Sequence, residues 1–311
     1  MQQKIELNDD YLVPDSLPEI EKYSSKSELI NYASTSRRHL TLFKPFTDVM
    51  KLLHHVVRSN YVEIENILKN NLGLMCKRGM VTDCSGRAFE VSAFEYALWA
   101  LDYYMWEIMF QCVTENEMGN EILEILFFQY NKMTTQGVTY TLNGHSFTEK
   151  HFDFENTIIK ELQIQVNSLQ AIVDSRAVDM QWKQRVGGVQ KLLPMHAVIE
   201  YCSNMPFKPI PQFNSRPKSS KTFFNWETHQ DEYWFSATSK LGSHIAIYKC
   251  GRGHAVGDDS AQGQGVGSDL NALKILFQKR VKELIHLKSQ FKKWLARDIQ
   301  SSALQNLDLA P

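Results

Sequence analysis

The segment from His244 to Cys250 has the composition of a strand, and it runs directly into Gly251-Arg252-Gly253-His254-Ala255-Val256-Gly257. Gly263-Gln264-Gly265-Val266-Gly267 follows and leads into a helical pattern. A strand, a glycine-rich loop and a helix in that order can cradle a phosphate, because free backbone N–H groups can be turned toward the anion. The Gly-Lys-Ser/Thr that ends a P-loop is missing, and Asp258-Asp259 repels phosphate. The competing reading is a mobile loop without a ligand, and it predicts that residues 251 to 267 lack fixed structure.

Cys250, His254 and Asp258 form the other chemical candidate here, with His244 and Asp259 close in sequence. Cys-x-x-x-His can contribute two metal ligands, but no second ligand pair flanks it, so no metal and no cofactor are assigned. A cysteine hydrolase needs Cys202 or Cys84 beside His196 or His254. His196 and Cys202 fall on different faces of one predicted helix, so such a pair has to form through the fold. The aromatic runs Tyr103-Tyr104-Met105-Trp106 and Tyr233-Trp234-Phe235 suit an interface, or a core if alternate members face inward.

The elements that must position these residues come from a chain of 311 residues, 43% hydrophobic and 22% charged, with net charge −1. That is enough apolar material for one large core or two modest ones. The charge balance gives no field for recruiting nucleic acid, and none is expected as a partner. Five cysteines, an odd number with no CxxC, argue against a disulfide framework and for reduced thiols. The first residues lack an apolar signal core. The longest apolar run, Ile122 to Tyr130, contains Glu124 and is far short of the roughly 20 residues a membrane span needs.

Residues 1–45 are acidic, carry Pro14 and Pro18, and read as an extended arm with one short helix. Helical periods then recur: about 46–58, 61–70, 92–101, 103–113 and 117–133, with 72–91 as a long connection between them. Val138 to Phe147 alternates around Asn143-Gly144 and reads as a hairpin, since both turn residues tolerate positive φ. Residues 134–205 are otherwise helical. Residues 206–311 begin as a Pro-rich wrap, continue through candidate strands at Glu232–Thr238 and His244–Cys250, and end in a helix from Ser268 or Asp269 to about Arg297. Leu270, Leu273, Leu276, Phe277, Val281, Leu284, Leu287, Phe291 and Leu295 give that helix an apolar face. Lys274, Lys279, Arg280, Lys282, Lys288, Lys292, Lys293 and Arg297 give it a basic one, suited to peripheral contact with an anionic membrane.

Ser92-Ala93-Phe94-Glu95-Tyr96-Ala97, after Asp83-Cys84-Ser85-Gly86, resembles the start of an ankyrin repeat, with Ser for Thr, Ala for Pro and Phe for Leu. Leu52 to Ile64 resembles the helix–turn–helix of a preceding repeat. The signature proline and histidine are absent, and Val57 and Ala97 lie farther apart than the ankyrin period of about 33 residues. The expected fold is therefore mainly α: an ankyrin-like stack of helical hairpins over 46–133, then a helical region with a small β element.

Two longer blocks resemble effector-type proteins of Legionella-like intracellular bacteria. One is Val81 to Phe89 with Ala93 to Asp102 and Met105-Trp106; the other runs from Trp182 through Gly187, Gln190, Pro194 and His196 to Cys202. The resemblance implies delivery from the bacterial cytoplasm into the host cytosol by a type IV secretion system, and action through a host protein partner. It supplies no catalytic residue. On the helical-stack reading the binding residues are Asp83, Arg87, Trp99, Tyr103 and Trp106. On the alternative reading the protein is an enzyme, with its site at Cys250, His254 and Asp258.

Overall fold

Ser36 accepts the His39 N–H at 3.0 Å and so starts the first long helix of the chain. The computed structural model describes residues 26–171, 174–260 and 264–307. Residues 1–25 of the expected arm lie outside them, and from Lys26 the chain is helical: α1 (Lys26–Thr35), then α2 (Arg37–Val56). Helix α2 runs through Pro45, which removes one backbone donor. The helix expected to begin near residue 46 thus begins nine residues earlier, and Thr47 and Asp48, which could have capped it, are helix interior. Burial of Val49, Leu52, Leu53 and Val56 offsets the lost bond.

Helix α3 (Tyr61–Asn70) packs on α2, and a 3₁₀ turn (Leu72–Cys76) leads into strands β1 (Arg78–Thr82) and β2 (Ala88–Ser92). Asp83 builds the turn between them: its Oδ1 accepts the N–H groups of Ser85 and Arg87, each at 2.9 Å, and Gly86 takes φ +88°. This hairpin overturns the ankyrin-like stack. Residues 46–133 are not consecutive helical hairpins, because Gly79, Phe89 and Val91 bury at the two-residue period of strands. The segment expected to join two repeats is itself a sheet element.

Ser92 ends β2 and caps α4 (Ala93–Ala100) in a capping box with Glu95: Ser92 Oγ accepts the Glu95 N–H, and Glu95 Oε2 accepts the Ser92 N–H. Helix α4 is buried on every side and ends at Leu101, which holds φ +59°. Helices α5 (Tyr103–Gln111) and α6 (Glu117–Gln136) follow, then strands β3 (Val138–Leu142) and β4 (His145–Glu149) around Asn143-Gly144 as expected. Phe89 pairs with Tyr140, so the four strands form one antiparallel meander, β1-β2-β3-β4.

The second half opens with a π-helical segment (Glu155–Ile159) that becomes α7 (Lys160–Gln170). Helix α8 (Ser175–Met180) passes through a second π segment (Gln181–Val186) into α9 (Gly187–Gln190), and α10 (Met195–Tyr201) follows. A second four-stranded sheet contains β5 (Thr222–Asn225), β6 (Gln230–Tyr233), β7 (Ala246–Tyr248) and β8 (Val256–Asp258), in the order β6-β5-β8-β7. Only β5–β8 is parallel. The "mainly α" expectation thus gives way to helices around two sheets. Strand β8 also corrects the expectation of a structureless 251–267 loop, of which residues 261–263 lie outside the described part.

Helix α11 (Gln264–Leu307) ties the halves together. Its Phe291 ring lies 5.3 Å from those of Phe110 and Phe127 and 6.2 Å from that of Phe94. One apolar core runs continuously from Val49 to Phe291.

A chain of buried charge crosses that core. Asp102, at the α4–α5 junction, accepts from Ser59 Oγ at 2.9 Å and Tyr61 OH at 3.1 Å. Arg280 of α11 is fully buried; its guanidinium stacks 4.6 Å from Tyr104, donates to Glu283 at 2.8 Å and faces Glu200 Oε1 at 3.6 Å. Lys249 Nζ donates to Glu200 O, Ser203 O and Ser203 Oγ at 2.7–2.8 Å. Asp269 accepts the backbone N–H groups of Lys249 and Cys250 at 2.8 and 2.7 Å. It serves the loop, so it is not the helix cap the sequence suggests.

Two outcomes follow. Trp99 is fully buried among Phe89, Tyr96, Tyr140 and Phe152. Trp99→Ala is expected to cost about 3–5 kcal/mol in urea denaturation. Burial pushes the carboxyl of Asp102 up to about 6, and those of Glu200 and Asp269 up to about 7. A carboxyl raised on folding contributes its stability in full below its unfolded value, and that contribution is lost as pH rises through its folded value. Burial lowers Lys249 to about 8, so it stays largely protonated in both states over this window. Buried His196, lowered to about 3, opposes the trend below its unfolded value but is outweighed by the three carboxyls. The urea midpoint should therefore be higher at about pH 5 than at about pH 7.5, and Asp102→Asn should shrink the difference.

Candidate functional site

Asp83, Arg87 and Trp99 meet, but inside the protein. The Arg87 guanidinium lies 5.2–5.5 Å from the rings of Trp99, Tyr140 and Phe152. It pairs with Asp83 Oδ2 at 3.3 Å and donates to Leu192 O at 2.8 Å. Trp99 Nε1 and Tyr140 OH both donate to the Glu149 carboxylate. Arg87 is 2% exposed and Asp83 7%, so this group clasps the first sheet to the turn after α9 and offers no surface to a partner. Trp106, 1% exposed, lies on α5, and Tyr103 on the same helix is half-buried against Arg280. Four of the five residues read as a binding set, Asp83, Arg87, Trp99 and Trp106, are packing residues, and Tyr103 alone keeps part of its ring at the surface.

The other candidates fall on two neighbouring clefts. Cys250 and Asp258 line the first, of about 480 Å³, with Trp226, Tyr248, Arg252 and Gly265. His254 lines the second, of about 400 Å³, with Cys202, Ser219, Ser220 and Thr222. Among the described residues no group of three His, Cys, Asp or Glu could hold a metal ion. The Cys202–His254 pair that hydrolase chemistry needs does share a cleft. However, burial pushes the Cys202 thiol up to about 12, which keeps it protonated. His196 donates from Nε2 to Ala100 O at 2.6 Å and, lowered to about 3 by burial and Arg280, stays neutral in the core.

The rim of the first cleft is fixed from several sides. Cys250 holds φ +52°, a conformation costly for any residue but glycine. Asp269 takes its N–H, and its carbonyl accepts from Phe207 N at 2.7 Å and Lys208 N at 3.0 Å. On the opposite wall Trp226 N donates to Gly257 O at 3.0 Å, at the end of the parallel β5–β8 pairing. The second π segment places Trp182, whose Nε1 donates to Asp258 O at 3.0 Å. Gly187 and Gly242 allow the backbones to touch there: a Cβ on Gly187 would lie 2.6 Å from Ile245 O. π-Helical turns are often found where a helix is bent to serve a site. Arg252 lies 5.5 Å over the Tyr248 ring, and burial raises the Asp258 carboxyl. The cleft thus offers two aromatic faces, a cation and a carboxylate. Sequence reading found the carboxylate and the loop but not Trp226 or Tyr248.

A different surface lies on α6. Its inner side buries Ile122, Leu126, Gln129, Tyr130 and Met133. Its outer side exposes Met118 at 54%, Ile125 at 45% and Phe128 at 68%, flanked by exposed Glu117, Glu121 and Glu124. The basic face expected on α11 is smaller than its sequence suggests. Arg280 is buried, and Lys274 and Lys279 are half-buried against Gln163 and Asn214. Lys282, Lys288, Lys292 and Lys293 remain exposed, while the Arg297 side chain is outside the described part. No helix among the described residues is long and apolar enough to cross a membrane.

A family model for the CBUA0006 C-terminal domain matches residues 157–291, a span that contains every residue lining both clefts. The chain is 31% identical over 255 residues to the uncharacterised protein CBUA0006 of Coxiella burnetii (strain RSA 493 / Nine Mile phase I), covering 76% of this chain and 73% of that protein. No solved structure matches. On this similarity, which extends well beyond the C-terminal domain into the first sheet or its helices, the chain belongs to the CBUA0006 family.

Proposed function

We propose that this protein is an effector-type protein that acts in a host cell by binding a host protein, and that the outer face of α6 makes the contact. The observation that carries the reading is Phe128, the most exposed of three apolar side chains on a helix whose other face is locked in the core. Interfaces concentrate their energy in a few aromatic and apolar anchors surrounded by polar residues. Met118, Ile125 and Phe128 supply the anchors, and Glu117, Glu121 and Glu124 supply an acidic surround. The partner segment that complements them is apolar with lysine or arginine at its edges. Delivery by a type IV secretion system rests on the sequence resemblance alone, since the Coxiella burnetii relative is uncharacterised.

The contact is tested by affinity capture from host lysate, comparing the unaltered chain with Phe128→Asp and with Glu121→Lys/Glu124→Lys. All three positions are exposed, so the melting temperature should move by less than about 2 °C. A protein retained by the unaltered chain, and lost at least about tenfold in both variants, is the expected result. Retention of the same proteins by Phe128→Asp would place the contact elsewhere. Delivery is read separately, from a cyclase reporter fused to the chain: cyclic AMP should rise in infected cells only when the secretion system is intact.

A further inference from the structure

We propose that strand β4 is a self-association site, on which a second copy of this chain pairs its own β4 antiparallel about a two-fold axis at Phe147. The strand belongs to the first sheet, and the proposal does not depend on the α6 reading.

The two sheets end in the edge strands β1, β4, β6 and β7. An edge strand carries unpaired N–H and C=O groups, and folded proteins blunt it with charge, proline, a bulge or a cover. Three of these edges are blunted. Strand β1 opens with Arg78 and lies against α2. Strand β6 carries Asp231 and Glu232. Strand β7 is capped by the Gln190 side chain, which accepts the Ile247 N–H at 2.8 Å and donates to Ile247 O at 2.6 Å. Strand β4 has none of these devices. It contains no proline, pairs one-to-one with β3 without a bulge, and exposes His145, Ser146, Phe147 and Thr148. Its carboxylate, Glu149, is turned inward to Trp99 and Tyr140.

The register supplies the geometry. Leu142 and His145 close a two-residue turn and form a hydrogen-bonded pair, and bonded and non-bonded pairs alternate from there. His145, Phe147 and Glu149 therefore bond to β3, while Ser146 and Thr148 turn their backbone groups to the open edge. An axis at Phe147 sets Ser146 opposite Thr148 of the second copy, so the outward groups of both pair.

The side chains name the occupant. Phe147 meets its own counterpart in a non-hydrogen-bonded pair, with Cβ atoms about 4.5–5.5 Å apart. Its ring is 42% exposed and already stacks on Tyr140 at 5.4 Å, so pairing extends an existing aromatic row. His145 comes opposite Glu149, a ring N–H beside a carboxylate whose oxygens each hold one bond and can accept more. On the other face the hydroxyls of Ser146 and Thr148 meet. Lys150, the first residue beyond the strand, falls opposite Gly144, where nothing lies within 4 Å of a Cβ position. The strand is thus complementary to itself, as an isologous interface requires.

The test is sedimentation velocity of the full chain between about 5 and 200 μM, a range that covers a weak interface of one strand. The unaltered chain should pass from monomer to dimer across it. Thr148→Pro removes an outward N–H and leaves the bonds to β3 in place. That variant should stay monomeric, with a melting temperature within about 2 °C of the unaltered chain. Cross-linking under mild oxidation reads the register. Phe147→Cys lies on the axis and should give a disulfide-linked dimer, whereas Ser146→Cys, opposite Thr148, and the unaltered chain should not. Both positions are exposed, so cross-linking decides the matter if Thr148→Pro does not fold. The proposal is overturned by a monomer at about 200 μM, by a dimer that persists in folded Thr148→Pro, or by equal cross-linking of Phe147→Cys and Ser146→Cys.

Discussion

The fold depends on how Arg280 is accommodated. A guanidinium at zero exposure is tolerable only if its charge is met, and here Glu283, Glu200 and the faces of Tyr103 and Tyr104 meet it. Those partners come from α5, α10 and α11, so the charge can be satisfied only when the two halves are docked. Glu200 in turn lies over Lys249 through its carbonyl, and Lys249 leads by its own backbone to Asp269. Apolar packing around Phe291 supplies most of the adhesion. The charged chain fixes the register, because a shifted α11 leaves Arg280 buried and unpaired.

The same chain reaches the candidate site. Asp269 uses both carboxylate oxygens on successive backbone N–H groups at the end of β7, and so holds Cys250 in a left-handed conformation. That single residue turns the strand into the glycine-rich loop and sets where Arg252 emerges. Across the cleft, Trp182 and Gly187 of the π-helical region fix β8 from beneath. The α6 face is positioned independently, by Gln129, which bridges Ser92 and Cys76 O, and by Tyr130, which donates to Leu284 O. Two rigid surfaces of different chemistry therefore sit on one body.

Features with local signals were legible in the sequence. Asn143-Gly144 turns as its composition dictates, and the apolar period of α11 buries Leu270, Leu273, Leu276, Phe277, Leu284, Leu287 and Phe291. Arg280 misleads if charge alone is read. Placed among Leu273, Phe277, Leu284, Leu287 and Phe291, it keeps the alternating three- and four-residue spacing of the buried face, and that spacing was the signal. The β1–β2 hairpin was obscured by the match of Ser92–Ala97 to a repeat template, although Asp83 to Gly86 between alternating residues is a turn in its own right. Strand β8 has three residues, one of them glycine, and gains its identity from pairing with β7 across the loop and with β5, more than thirty residues earlier. For the same reason Cys250 and Asp258 could be marked as site residues while Trp226, which faces them through tertiary pairing, could not. Helix α6 was read as one apolar pattern; separating its inner face from Met118, Ile125 and Phe128 required knowing which side was covered.

The central claim is that buried charge holds the cleft rim ready-formed in the ligand-free protein. Hydrogen exchange at the Lys249 and Cys250 amides tests it most directly, since both are bonded to Asp269 and to nothing that a mobile loop could offer. If the account is right, these amides exchange as slowly as those of buried β2, through global unfolding alone. Exchange there at the rate of an exposed loop, with β2 still protected, would contradict it.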